Sequence, residues 1–269
     1  MLTKIETNVL KLAKIVNKLT DGKLISVILF GSYVRGENTR NSDYDVLFVL
    51  SDDVNDSIIR LLKKILFVIT SKERIRKNGL LDRILLAIEA ETGMYISGFV
   101  TKLEYLLSQK FEKVFNTNTL LSRLLAPSKI VFVNLIRNYK IVIGKDVLRP
   151  LIKSNHQPSV IDLLKSFFMN LLLSLGSIFI SFKRDSIKYS LEAVKWSILA
   201  FSYAMNSPPS IRKSVNILMQ YGLKLLNDLF LTARNNGLYD PRIIILSPNI
   251  VLQIHSLALK MIKNHFRMK

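Results

Sequence analysis

The chain contains no cysteine. That excludes a disulfide framework and a thiolate metal site, and it fits a reducing compartment, so a cytoplasmic location is the expectation. Histidine is scarce as well: His156, His255 and His265 are scattered, with no metal-ligand spacing. Acidic residues are outnumbered, 20 Asp and Glu against 39 Lys and Arg, which leaves a formal net charge of +19. The excess is spread along the chain, with 24 cations against 15 anions in residues 1–150 and 15 against 5 in the rest. Such a chain is attracted to polyanions, although charge of this kind also serves solubility and defines no site. There is no internal repeat and no low-complexity tract. The pattern GxxxxGK[ST] is absent, which excludes a P-loop. One long uncharged run exists, "SFFMNLLLSLGSIFISF" at 166–182. It falls short of the roughly 20 residues of a membrane span and contains Asn170, Gly176 and several serines, so it reads as a buried core helix and no membrane is expected. The N-terminus places Lys4 and Glu6 within an apolar pattern, unlike a signal peptide.

Apolar residues make up 49% of the 269, enough for a sizeable core. Leu2, Ile5, Val9, Leu12, Val16 and Leu19 recur at steps of three and four, one face of a helix stopped by Asp21-Gly22. "LISVILF" (24–30) and "YDVLFVL" (44–50) read as buried strands, with 32–38 between them as a polar segment that begins a helix. Helices are expected over 55–69 and 80–91, and a third strand at "MYISGFV" (94–100). A helix follows at 128–138, then "KIVIG" (140–144) as a fourth strand or a helix exit. Beyond Pro150 helical patterns take over, at 158–182, 186–205, 209–233 and 248–266, with Pro158, Pro208 and Pro248 marking starts. "RIIIL" (242–246) is the one strand-like run there. The pattern predicts an α/β domain over 1–150 followed by an all-α helical bundle over 151–269.

The chemistry concentrates in "ILFGSYVRGENTRNSDYDVLFVL" (28–50). Asp43 and Asp45 stand at i and i+2 at a strand start, so both carboxylates face one side, about 6–7 Å apart at the strand repeat. Two like charges at that range call for a cation between them, and oxygen ligands are what Mg²⁺ takes. Gly31 and Ser32 end the preceding strand. Glycine admits close backbone approach, free N–H groups at a helix start point toward an anion, Ser32 adds a hydroxyl and Arg35 lies one turn further on. A phosphate cradle beside a metal-binding pair suits phosphoryl or nucleotidyl transfer. Taken singly, a Gly-Ser after a strand is a turn and an Asp-x-Asp is a solvated strand end; their joint spacing is the informative feature.

"GSYVRGENTRNSDYD" resembles the signature of the DNA polymerase β-like nucleotidyltransferase superfamily, in the form typical of minimal and kanamycin-nucleotidyltransferase-like members. "VIGKDVL" (142–148) is similar to a segment that often closes the α/β domain of such proteins; the resemblance implies an α+β N-terminal domain with a small mixed sheet and an all-α helical-bundle C-terminal domain. The resemblance implies that Gly31 and Ser32 bind nucleotide phosphate, that Asp43 and Asp45 ligate Mg²⁺ or Mn²⁺, and that Arg35 and Gly36 shape the loop, Arg35 reaching phosphate. It implies transfer of an NMP from an NTP such as ATP to a hydroxyl of an acceptor, which could be a small molecule, a protein or an RNA.

Active relatives usually carry a third carboxylate on a later strand, in a general-base role. The corresponding strand (94–101) has none, and Ser97 stands near the expected place. Glu89 and Glu91 precede Gly93, and Glu104 follows the strand. Three readings stay open: Glu91 reaches the site; an acid of the helical domain (Asp162, Asp185, Glu192, Asp228 or Asp240) substitutes; or the protein is a degenerate nucleotide-binding or regulatory module. A basic-surface RNA-binding protein is a further alternative. The basic run "SKERIRKN" (71–78) reads as a solvated loop or an acceptor contact, and Trp196 and Tyr203 as core or as cleft lining.

Overall fold

The computed structural model describes residues 4–39, 45–71, 98–115, 117, 119–152, 157–179, 184–236 and 240–267. The chain divides into two units. Unit 1 comprises Met1–Asn38, Ser42–Arg123 and Asn138–Asn155; unit 2 comprises Thr39–Asn41, Leu124–Arg137 and His156–Lys269.

Unit 1 is organised on a four-stranded mixed sheet in the order β3-β2-β1-β4. The strands are β1 (Leu24–Phe30), β2 (Asp45–Leu50), β3 (Gly98–Lys102) and β4 (Tyr139–Gly144). β1 runs antiparallel to both β2 and β4, while β2 and β3 are parallel. Because side chains alternate along a strand, the register assigns the two faces. Val27 and Leu29 of β1, Val46, Phe48 and Leu50 of β2, and Val100 of β3 share a core with α1 (Lys4–Leu19) and α2 (Asp56–Ser71). Each helix contributes residues at helical spacing: Val9, Ala13 and Val16 from α1, Ile59, Leu62 and Leu66 from α2. The opposite face carries Ile28, Leu47 and Phe99, with the Phe115 ring edge-on to Phe99 at 5.3 Å. The β3 exit leads into short helices α3 (Leu103–Leu107) and α4 (Phe111–Val114), and α5 (Thr119–Leu125) carries the chain to the unit boundary. β4 is a strand and not a helix exit; it leads to α7 (Arg149–Ile152), where Asp146 accepts the Arg149 N–H (3.1 Å) and the Tyr139 hydroxyl (2.8 Å).

Unit 2 is helical. Its centre is α9 (Arg184–Ala204), packed with α8 (Val160–Phe179), α10 (Ile211–Gln220), α12 (Arg242–Arg267) and α6 (Ser128–Arg137). Val194, Ile198, Phe201, Phe230 and Ile254 lie in one buried core, joined by Ile130 and Val133 of α6. The pattern expected as a single helix over 209–233 is interrupted: α10 closes at Tyr221-Gly222, a π-helical turn occupies Leu226–Leu231, and α11 (Thr232–Asn236) follows. The strand-like "RIIIL" opens α12, because Ile243, Ile244, Ile250 and Ile254 bury themselves at helical spacing. Pro248 therefore lies inside α12 and does not start it. Proline supplies no N–H to the preceding turn, and the Ser247 hydroxyl donates to the Ile244 carbonyl instead, at 3.1 Å.

By length and composition, Val160–Phe179 and Arg242–Lys263 are long and apolar enough to cross a membrane. In this fold α8 turns its polar side inward. Ser166 and Asn170 join His255 of α12, and Ser177 bonds Ser190 of α9 at 2.6 Å. Ser247 reaches the same Ser190 hydroxyl at 3.2 Å. Small hydroxyl side chains let three helices approach closely while satisfying each other's polar atoms.

Candidate nucleotide-binding site

β1 delivers the chain to Gly31, and β2 opens on Asp45, the direct antiparallel partner of Phe30. The carboxylate of Asp45 lies against the Gly31 backbone: an ideal Cβ at residue 31 would stand 2.0 Å from Asp45 Oδ2. Gly31 also has φ of +79°, a conformation that disfavours other residues. Asp43 and Tyr44 lie outside the described residues.

Residues 31–37 form one compact turn and not the expected helix start. The Arg35 N–H bonds the Gly31 carbonyl (3.3 Å). Gly36, with φ of +67°, then closes the turn as a helix C-terminus is closed: the Gly36 N–H bonds Tyr33 O (3.2 Å) and the Glu37 N–H bonds Ser32 O (2.9 Å). These bonds use the carbonyls of Gly31, Ser32 and Tyr33. Tyr33 and Val34 lean on the core formed by the sheet with α1 and α2, which anchors the turn. Arg35 Nε donates to Glu37 Oε2 at 3.0 Å, in an ion pair whose side chains are only 6% and 13% exposed. Nearby, Lys140 of β4 pairs with the buried Glu6 of α1, and that carboxylate raises the lysine's affinity for its proton.

The structure thus brings Gly31, Ser32, Arg35 and Asp45 together at one end of the sheet. Two features of this end were missed in the sequence. Phe30, half-buried, shares a face with Asp45 and lies 6.1 Å from the Phe99 ring. Glu37 holds Arg35; its position two residues further on was the available signal. As a metal site the arrangement fits in part. Asp45 offers a hard oxygen donor, Gly31 leaves it room, and Asp43 stands two residues earlier in the sequence. Among the described residues no group of three metal-ligating side chains occurs.

The candidates for a third acid sort as follows. The described part of β3, Gly98–Lys102, contains none, and Ser97, Glu89 and Glu91 lie outside the described residues. Glu104 sits in α3 beyond the far end of β3, and its N–H is capped by Asp52 at 2.8 Å. In unit 2, buried Asp162 accepts the Lys129 N–H (3.0 Å) near the start of α6. Glu192 pairs with Lys195, Asp228 accepts from Asn227 (3.1 Å), and Asp240 holds Arg242 (2.7 Å). The Asp185 side chain is outside the described set.

Other sequence candidates resolve into structure. Tyr203 is buried, accepts the Ser159 N–H at 2.9 Å, and burial pushes its hydroxyl up to about 12. Trp196 packs on the unit 2 core. His255 is buried between Val251 O (3.0 Å) and Ser166 Oγ (3.2 Å), and burial lowers its pKa to about 4. His156, the His265 side chain and the basic run from Lys72 to Asn78 fall outside the described residues.

Residues 9–116 match the family model described as nucleotidyltransferase domain. This segment, less than half of the chain, is thus similar to a nucleotidyltransferase domain. Among solved structures, the spectinomycin adenyltransferase of Enterococcus faecialis, determined with ATP and spectinomycin, is similar at 14% identity and a TM-score of 0.47. That match covers 97% of this chain and 99% of the other. Comparison with curated proteins finds no match.

Proposed function

We propose that the protein is a metal-dependent nucleotidyltransferase that moves an NMP from an NTP, ATP among the candidates, to a hydroxyl of an acceptor. The observation that carries this reading is the seating of the Asp45 carboxylate against Gly31, where the turn after β1 meets the start of β2. In this reading Gly31 and Ser32 bind the nucleotide phosphates, and Asp43 and Asp45 hold Mg²⁺ or Mn²⁺. The ion, when bound, neutralises phosphate charge in the transition state. Arg35 adds positive charge beside the phosphates while Glu37 fixes its orientation. The acceptor is a small molecule, a protein side chain or an RNA end, and the net charge of +19 favours an anionic one.

A second reading, nucleotide binding without efficient transfer, is favoured by the lack of an acid in Gly98–Lys102. One experiment separates the two. The protein is incubated with Mg²⁺ or Mn²⁺ and each α-phosphate-labelled NTP, with tRNA, cell extract or an aminocyclitol as acceptor. Label transfer that disappears in Asp43→Ala and Asp45→Ala establishes the enzyme. Thermal stabilisation by NTP and metal with no transfer to any acceptor favours the binding module. If neither NTP nor metal raises the melting temperature or yields transfer, both readings fail.

A further inference from the structure

Helix α8 is built inside out. Ser166, Asn170, Ser174 and Ser177 face the bundle beside Leu163 and Met169, while a run of large apolar residues faces outward. Ile161, Leu164, Phe168, Leu172, Leu175 and Phe179 are 66%, 40%, 54%, 57%, 39% and 79% exposed. They follow one another at steps of three and four, so they form a single stripe along the helix, about 27 Å long at 1.5 Å per residue. Two phenylalanines, each worth roughly 150–250 Å² in full and here 54% and 79% exposed, present about 200–330 Å², and four aliphatic side chains bring the stripe into the ~300–600 Å² range of the largest patch on an ordinary monomer. It approaches the ~800 Å² that each partner contributes to a stable interface.

The spacing selects the occupant. About a point near residue 170 the stripe reads nearly the same in both directions: Ile161 mirrors Phe179, Leu164 mirrors Leu175, and Phe168 mirrors Leu172. In an isologous interface residue i of one copy meets residue j of the other and j meets i, so this spacing lets every stripe residue meet another stripe residue when two copies pair antiparallel. The six positions carry no charge, so copies with a net charge of +19 would meet where no like charges oppose. A lipid surface fits less well. A membrane-surface helix displays Lys and Arg on its polar face, whereas the polar side of α8 is buried and Lys165 is the helix's sole cation.

We infer that α8 is the two-fold interface of a homodimer, in which the α8 helices of two chains pair antiparallel through this stripe. Light scattering or sedimentation equilibrium of the full chain should give twice the 30.8 kDa chain mass at micromolar concentration. Phe168→Glu or Leu172→Glu should weaken the dimer about 30-fold or more, the effect of losing a central anchor. The exposed positions leave the circular dichroism spectrum and melting of the monomer unchanged. Because the chain has no cysteine, orientation is readable separately. Ile161→Cys with Phe179→Cys should form an interchain disulfide on mild oxidation, while Ile161→Cys alone should not. A monomer at every concentration overturns the proposal, and so does a disulfide between two Ile161→Cys chains, which requires parallel helices. Monomers that float with phosphatidylserine vesicles, and lose this in Phe168→Glu, also overturn it and assign the face to lipid.

Discussion

Asp45 Oδ2 occupies the volume that a side chain at Gly31 would need, with only 2.0 Å between it and an ideal Cβ there. Gly31→Ala must therefore displace the carboxylate, strain a backbone at φ of +79°, or both. The left-handed conformation alone costs about 1–2 kcal/mol. Under the proposed function, Gly31→Ala should lower nucleotidyl transfer at least ~100-fold, the scale of removing a positioned electrostatic group. The stability cost should shrink when Asp45→Ala is added, because the clash partner is gone. A double-mutant cycle by urea denaturation reads this coupling, expected above ~0.5 kcal/mol.

The ion pair of Arg35 and Glu37 is nearly closed off from water. Removing one member leaves the other charge uncompensated, so Glu37→Ala should destabilise by about 3–5 kcal/mol. Replacing both with neutral residues should cost less than Glu37→Ala alone. Under the proposed function, Glu37→Gln should raise the KM for NTP more than it lowers kcat, since it loosens the orientation of Arg35 on the phosphates.

His255 gives the fold an acid sensitivity of calculable sign. Burial lowers its folded pKa to about 4, against an ordinary value of 6.5. Above pH 6.5 both folded and unfolded chains hold it neutral, and its contribution is complete. As pH falls from 6.5 toward 4 the unfolded chain takes up the proton first, so stability is lost across that window, about 3 kcal/mol in all. Denaturation midpoints measured between pH 7 and pH 4 should show this slope, and His255→Gln should flatten it.

Ser247 supplies the donor that Pro248 lacks. Ser247→Ala should cost about 1–2 kcal/mol, because it removes a buried hydroxyl bond to a helix carbonyl. In a Pro248→Ala background, where a backbone N–H is restored, the same substitution should cost less. Thermal melts of the four proteins in this cycle test it.

Much of unit 1 was legible because its elements carry local signatures. β1 and β2 are short β-branched runs, and α1 and α2 repeat their apolar residues at helical steps. The Gly31-Ser32 and Asp45 elements were legible through spacing across a turn. The form of that turn was not, since a single turn closed by Gly36 and a helix start have the same residues at their beginning. In unit 2 the placement of Pro248 misled, because a proline at a helix start and one tolerated within by a neighbouring serine look alike in one dimension. The strand-like Ile243–Ile245 run was decided by tertiary burial, which local propensity does not encode. Least visible was the grouping of Leu124–Arg137 with the helical unit, although it precedes β4 in the chain.

That grouping has a consequence for how the protein can be taken apart. The chain leaves unit 1, contributes Ile130 and Val133 to the core of unit 2, and returns to lay down β4 beside β1. A cut at residue 150 would strip α6 of its core partners and deny unit 2 a helix it buries. The two units are thus interlaced through the polypeptide, and limited proteolysis or truncation should yield no pair of independently folding halves.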